Sequence, residues 1–322
     1  NAALLRRRIR DPKFSMELFG VGRRSRSDVA VCYISDSVDR NTLDRMRKLI
    51  QSIDVDALTM NIESLAECMF THKWINPFPK FKYSERPDTA TAAILDGNIV
   101  IMVDNSPAVM IIPASIFDII EEADDFNFSP MIGSYLRITR FFFSIITWIL
   151  TPLWLLFVNN PEWVPEFMKF ILITDDITVP VLLQLLILEL AVDGLKLAAV
   201  NTPTMLSTPL SIVAGIVVGE YAVSSGWFNP EALLYMAVVT VGTYGQTNFE
   251  MGYAFKFLRV LLLILTQIFN LAGFITGVVI SVLMIAFNRT ITGKSYIYPL
   301  IPWDGKMLKR KVFRVRLPHG YK

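Results

Sequence analysis

The six residues Val29-Ala30-Val31-Cys32-Tyr33-Ile34 form a short, β-rich apolar run between polar neighbours and predict a strand. From Asp39 the period lengthens. Leu43, Met46, Leu49, Ile50 and Ile53 fall at helical spacing, with Asp39 or Asn41 placed to cap the first turn. Asn61 opens a second helical stretch over 62–70, and Asn76-Pro77-Phe78-Pro79 turns the chain into a loop. The apolar runs 91–95 and 99–103 flank Asp96-Gly97-Asn98, a pattern that predicts a β-hairpin. After a turn at 104–107, residues 108–112 read as a further strand. Residues 1–130 therefore predict a small α+β domain, long enough to bury its own core.

Beyond this domain the apolar runs become much longer, at 136–158, 177–200, 207–223, 231–246 and 257–287. A membrane-crossing helix needs about 20 apolar residues. The second run is interrupted by Gln184, Glu189, Asp193 and Lys196. Glu189 and Asp193 share one helix face, and Asp193 is spaced to pair with Lys196. Charges in hydrocarbon face a bundle interior or water, so 177–200 is expected to be re-entrant, interfacial or cavity-lining. The third run repeats small residues at Ser207, Ser211, Gly215 and Gly219, a stripe that admits close helix packing. In the fourth, Thr240, Thr243 and Thr247 lie on one face. They offer either a pore stripe or hydroxyls bonded to their own helix. The fifth run as one helix is ~46 Å long, against a hydrocarbon core of ~30 Å. It must tilt, extend beyond the membrane, or break near Asn270-Leu271-Ala272-Gly273.

Charge placement bears on topology. Arg137 and Arg140 precede the first run, and Arg289, Lys294, Lys306, Lys309, Arg310 and Lys311 follow the last. The loop after the first run carries Glu162, Glu166, Asp175 and Asp176. The positive-inside rule then puts both ends in the cytoplasm, which requires an even number of crossings. Five runs are odd. The acid-rich 177–200 is the suspect for the non-crossing segment, with a hairpin inside 257–287 as the rival. Lys256 and Arg259 would fall on the outside and count against this choice. The expected organisation is a cytoplasmic α+β domain at 1–130, a transmembrane helical bundle at 131–288 and a basic cytoplasmic tail at 289–322. The bundle has about four spans plus one re-entrant segment.

Composition agrees with this division. Of 322 residues, 53% are hydrophobic and only 19% charged, more apolar and less charged than soluble globular chains. The net charge of +2 is too small to suggest nucleic acid. Cys32 and Cys68 lie in no metal or redox spacing, and the two histidines, His72 and His319, build no ligand cluster. No metal or cofactor is expected. With no phosphate loop or nucleophile elbow present, neither is an enzyme. Glu85 and Asp88 beside Arg86 suggest a turn held by a local ion pair rather than acid–base chemistry. The acidic stretch 121–125 reads as a solvated helix end. The opening NAALLRRRIRDP turns basic too early for a signal peptide.

Several elements in order carry a family resemblance. Ser84-Glu85-Arg86-Pro87-Asp88, Leu95-Asp96-Gly97-Asn98 and Val103-Asp104-Asn105-Ser106-Pro107 resemble motifs of the spore germinant receptor A-subunit (GerA) family. Ala123-Asp124-Asp125-Phe126, Asn201-Thr202-Pro203 and Ser295-Tyr296-Ile297-Tyr298-Pro299 continue the series. Asn105 replaces the family's usual Gly, and 205–246 departs from nutrient-receptor A subunits, which puts direct nutrient sensing in doubt. The resemblance implies that residues 1–130 are the second N-terminal subdomain of the family. It implies a multi-pass protein of the spore inner membrane and a pentameric, ion-conducting homo-oligomer acting in germination. Monovalent cations and a small membrane partner subunit come with that expectation. The alternatives are a non-conducting scaffold or receptor subunit and a secondary transporter.

Overall fold

A computed structural model describes residues 2–70, 76–201 and 215–315. The chain divides into two compact units, one formed by 1–138 together with 284–322, the other by 139–283. The basic tail thus belongs to the first unit rather than standing apart.

The first unit is built on a five-stranded antiparallel sheet in the order β1-β2-β4-β5-β3. The strands are β1 (Phe14–Val21), β2 (Ser27–Ile34), β3 (Lys82–Ser84), β4 (Ile99–Val103) and β5 (Val109–Ile112). Both faces are covered. Val29, Val31, Ile99, Ile101, Met110 and Ile112 pack with α2 (Arg40–Gln51) and α3 (Ile62–Met69). The alternate residues Ala30, Cys32, Val100, Met102 and Ile111 pack with α1 (Ala2–Arg8) and α4 (Pro87–Leu95). Because side chains alternate faces along a strand, double coverage is why β2 and β4 read as unbroken apolar runs. The tail contributes to the same core, since Ile291 joins the α2–α3 side. Tyr296 is fully buried, edge-on to Phe78 at 6.0 Å between ring centroids.

Two expectations for this unit fail. Residues 91–95 are helical, not a strand. Pro87 at the first helical position and Asp88 in the first turn start α4. Gly97, at φ +86°, ends it, with Gly97 N–H bonded to Ile94 O and Asn98 N–H to Ala93 O. That is a Schellman cap, so Asp-Gly closes a helix here instead of turning a hairpin. Nor is the acidic stretch solvated throughout. Asp125 is fully buried, and both Asp125 (3.2 Å) and Glu121 (2.5 Å) pair with the buried Arg137. The Arg137 guanidinium also donates to the Arg310 and Lys311 carbonyls.

The second unit is helical. After the short α5 (Ile116–Ile120) of the first unit, it takes most of α6 (Pro130–Asn159), then α7 (Val181–Asn201), a π-helical turn Gly215–Tyr221, α8 (Pro230–Tyr244) and α9 (Phe249–Ala286). Among the described residues, α6 and α9 are long and apolar enough to cross a membrane. Its apolar core joins Trp154, Leu155, Val181, Leu185, Met236 and Leu263. The loops at one end are tied by amides. Gln184 donates to the Asn229 side chain at 2.7 Å and accepts from its backbone N–H at 2.8 Å.

Helix α9 is two arms, not one rod. Asn270 has φ +52° and ψ −131°, far from helical values, and breaks the helix there. A side chain added at Gly277 would collide with Leu262, and one at Gly273 with the Leu265 carbonyl. In a straight helix, residues 262 and 277 would stand about 22 Å apart. The chain therefore folds back at Asn270 into an antiparallel hairpin. Gly273, Gly277 and the buried Ser281 form the small-residue seam that lets the arms close. Asn160 and Asn270 hold the tip by a reciprocal amide pair at 2.7 and 2.9 Å. The segment that fails to run as a single helix is thus 257–287, whereas the expected re-entrant segment, 177–200, lies mostly in the continuous α7.

Candidate functional site

Glu189, Asp193 and Lys196 lie at i, i+4 and i+7 of α7, and so share a face. On the first arm of α9, Gly252, Lys256 and Arg259 have the same spacing. The two faces meet in antiparallel register, the α9 number falling as the α7 number rises. Arg259 grips Glu189 through two hydrogen bonds, Nε–Oε1 at 2.5 Å and Nη2–Oε2 at 2.9 Å. Its remaining amino group donates to the Thr147 carbonyl of α6. Lys256 pairs with Asp193, and it lies 3.5 Å from Glu189 Oε2 and 3.0 Å from the Glu189 carbonyl. Lys196 closes the ladder without an ion pair among the described residues. Its ammonium stands 5.3 Å from the ring centre of Tyr244 and 5.4 Å from that of Tyr253, within cation–π range.

A cavity of about 70 Å³ opens beside the ladder, with α8 as its third wall. Its lining includes Glu189, Asp193, Thr240, Thr243 and Gln246. Two buried acceptors there, Asp193 Oδ1 and Gln246 Oε1, meet no donor among the described residues. Gln246 spends its amide N–H on the Thr147 hydroxyl at 3.1 Å. The formal charge of the five ionisable side chains is +1. Close helix contact on this side of α8 comes from Gly242, where an added Cβ would lie 2.6 Å from the Thr147 methyl.

Four of the residues singled out from sequence, Glu189, Asp193, Thr240 and Thr243, converge here. Their chemistry differs from a free polar lining. Thr240 and Thr243 donate to their own helix, to Met236 O at 2.7 Å and Val239 O at 2.8 Å. Both carboxylates are engaged by cations. Asp193 pairs with Lys256 rather than with Lys196 as its spacing suggested. Thr247 is exposed and does not line the cavity. Ser207 and Ser211 lie outside the described residues. Gly215 and Gly219 lie in the π-helical turn, with no described atom within 4 Å of an added Cβ.

Sequence reasoning missed Lys256 and Arg259 as site residues and counted them as flanking charges. The signal available was the matching i, i+4, i+7 spacing on two apolar segments. In the sheet unit, Arg86 pairs with Asp88 at 2.8 Å and with Asp124, Pro87 starts α4, and Glu85 is exposed.

A family model described as Bacillus/Clostridium GerA spore germination protein matches residues 1–322. The chain belongs to the GerA family. It is similar to Stage V sporulation protein AF of Bacillus subtilis (strain 168), 37% identical over 99% of this chain and 64% of that protein. Spore germination protein GerLA of Bacillus cereus is 28% identical over 98% of this chain and 64% of its own length. Uncharacterized membrane protein YfkQ of Bacillus subtilis (strain 168) is 26% identical over 88% of this chain and 55% of its own length. The chain thus spans under two thirds of the length of these GerA-type relatives. Among solved structures, the N-terminal domain of the A subunit of the Bacillus megaterium spore germinant receptor GerK3 matches 34% of this chain and 86% of that one. The match is at 31% identity with a TM-score of 0.27.

Proposed function

We propose that this chain is a subunit of an oligomeric ion channel of the spore inner membrane. In this reading the channel acts in germination by amplifying ion release rather than by sensing a nutrient. The observation that carries the reading is the buried charge ladder beside a small cavity. Ionisable groups inside apolar helices are costly and mark ion pathways by default. Asp193 Oδ1 and Gln246 Oε1 give a passing monovalent cation two oxygen ligands, while Lys196, Lys256 and Arg259 set the barrier it must cross. The family match and the similarity to Stage V sporulation protein AF support a role in sporulation or germination.

The hairpin in α9 supports a multi-pass topology with both ends in the cytoplasm. The fold-back at Asn270 returns the second arm of α9 toward the side from which the first arm starts, as charged flanks on one side require. Lys256 and Arg259 no longer count against it, since α7 carboxylates neutralise them. A pentamer with a small membrane partner subunit completes the reading.

A second reading, a non-conducting scaffold, is favoured by the threonine hydroxyls turned to their own helix and by the paired carboxylates. Purified particles, first sized by mass photometry, are reconstituted into potassium-loaded vesicles. Conduction predicts a ring of about five subunits and a potassium flux. Lys196→Gln should raise that flux several-fold, and Asp193→Asn should lower it by a similar factor. Oligomers that pass no ion at any potential would establish the scaffold instead.

A further inference from the structure

A second cavity, of about 260 Å³, lies wholly within the sheet unit. Its floor is apolar, formed by Ala92 and Ala93 of α4 with Ile111 and Pro113 beyond them. Around this floor stand three cations and five carboxylates. Each cation is already engaged. Arg86 holds Asp88 and Asp124. Lys311, from the helix α10 (Gly305–Val312), holds Asp118 at 2.5 Å and Glu121 at 3.4 Å. The Lys82 ammonium donates to the backbone carbonyls of Asp118 and Glu121, at 2.7 and 2.8 Å.

Two carboxylates are left over. Asp96, at the C-terminal end of α4, has no cation within ion-pair distance among the described residues. Glu122 likewise has none, and one of its oxygens accepts only the Ala123 N–H at 3.2 Å. The cavity therefore carries a formal excess of two negative charges over an apolar floor. Desolvation raises the Asp96 carboxyl above the ordinary range and nearby Lys311 and Arg310 oppose the rise, while the residue keeps an exposed side toward solvent. Cavities that bind small molecules combine such apolar walls with a few convergent polar groups.

We propose that this cavity binds a small organic cation, an ammonium group carried on an apolar body. The charge sits against Asp96 and Glu122 and the body rests on Ala92, Ala93 and Ile111. Neither a simple anion nor a neutral hydrocarbon suits the site, because each leaves the two carboxylates uncompensated. None of this depends on whether the helical unit conducts.

The test uses the full chain in lipid nanodiscs, titrated calorimetrically with phenethylamine at low salt. The controls are its neutral isostere 2-phenylethanol and the anion 3-phenylpropionate. Saturable binding of the amine alone is expected. In Asp96→Asn/Glu122→Gln its Kd should weaken tenfold or more, and any signal that persists there measures partition into lipid. An unchanged melting temperature shows that the variant is folded. If the variant does not fold, the amine–alcohol comparison on the unaltered protein still decides. No saturable amine binding, equal binding of 2-phenylethanol, or an unweakened Kd in the folded double variant would overturn the proposal.

Discussion

Arg259 is 3% exposed and Glu189 5%, yet neither is an orphan, because each supplies what the other lost on leaving water. The consequences of substitution are therefore asymmetric. Removing one partner leaves a bare buried charge and is expected to cost about 3–5 kcal/mol, whereas replacing both by apolar residues of similar size is often neutral. Arg259→Met alone should lower the melting temperature in detergent sharply, and Glu189→Leu/Arg259→Met should recover most of it. Equal losses in single and double variants would show that the pair is not acting as a unit. At this scale the sequence was only half legible. Glu189 and Asp193 stood out because charge in an apolar run is conspicuous. Lys256 and Arg259 did not, because they sit near the start of their run, where cations ordinarily flank a membrane helix.

Local signals succeed where one physical cause dominates and fail where two compete. Helix α2 begins at the expected cap, with Asp39 accepting from the Asn41 N–H. Of the periodic set, Leu43, Met46 and Ile50 are buried, Leu49 is half-buried, and Ile53 packs on the same core from just beyond the helix end. At 91–97 two rules conflicted. A β-hairpin and a helix C-terminus both call for Gly at positive φ after a polar residue, and the upstream Pro87 decides for the helix. Length alone showed that 257–287, ~46 Å as one helix, must tilt, extend or break, but the fold-back was only the rival reading, because charge in 177–200 was the more conspicuous signal. The hairpin gives a sharp prediction. With Cys32 and Cys68 replaced by Ser, Leu262→Cys/Gly277→Cys should form a disulfide readily under mild oxidation, read as a gel shift after cleavage at an engineered site between them. A continuous helix, which holds these positions about 22 Å apart, would give none.

Over the whole molecule, the sheet unit takes its strands from one end of the sequence and part of its core from the other. Tyr296 is the clearest case. It is fully buried against Phe78 and lies under the Lys80 ammonium at 5.4 Å, although more than two hundred residues separate them. Truncating a buried aromatic to Ala costs about 3–5 kcal/mol. Tyr296→Ala should therefore increase amide exchange in β3 and β5 as well as in the tail. Exchange confined to residues after 284 would mean that the tail only rests on the unit. The Tyr and Pro element around 296 was visible in the sequence. That it packs against Phe78 from the far end of the sequence was not, because no local period spans such a gap.

That division of one core between two ends sets a clock on biosynthesis. The 145 residues of the helical unit must be made between the two halves of the sheet unit. At about 5–20 residues per second, the first half waits roughly 7 to 30 s on the ribosome for Ile291 and Tyr296 to emerge. During that interval its α2–α3 side lacks a residue that will later cover it, and holding chaperones have a target. Closure of the sheet unit then reports that every intervening helix has been made and has delivered the chain back to where it started, a built-in check on completed assembly.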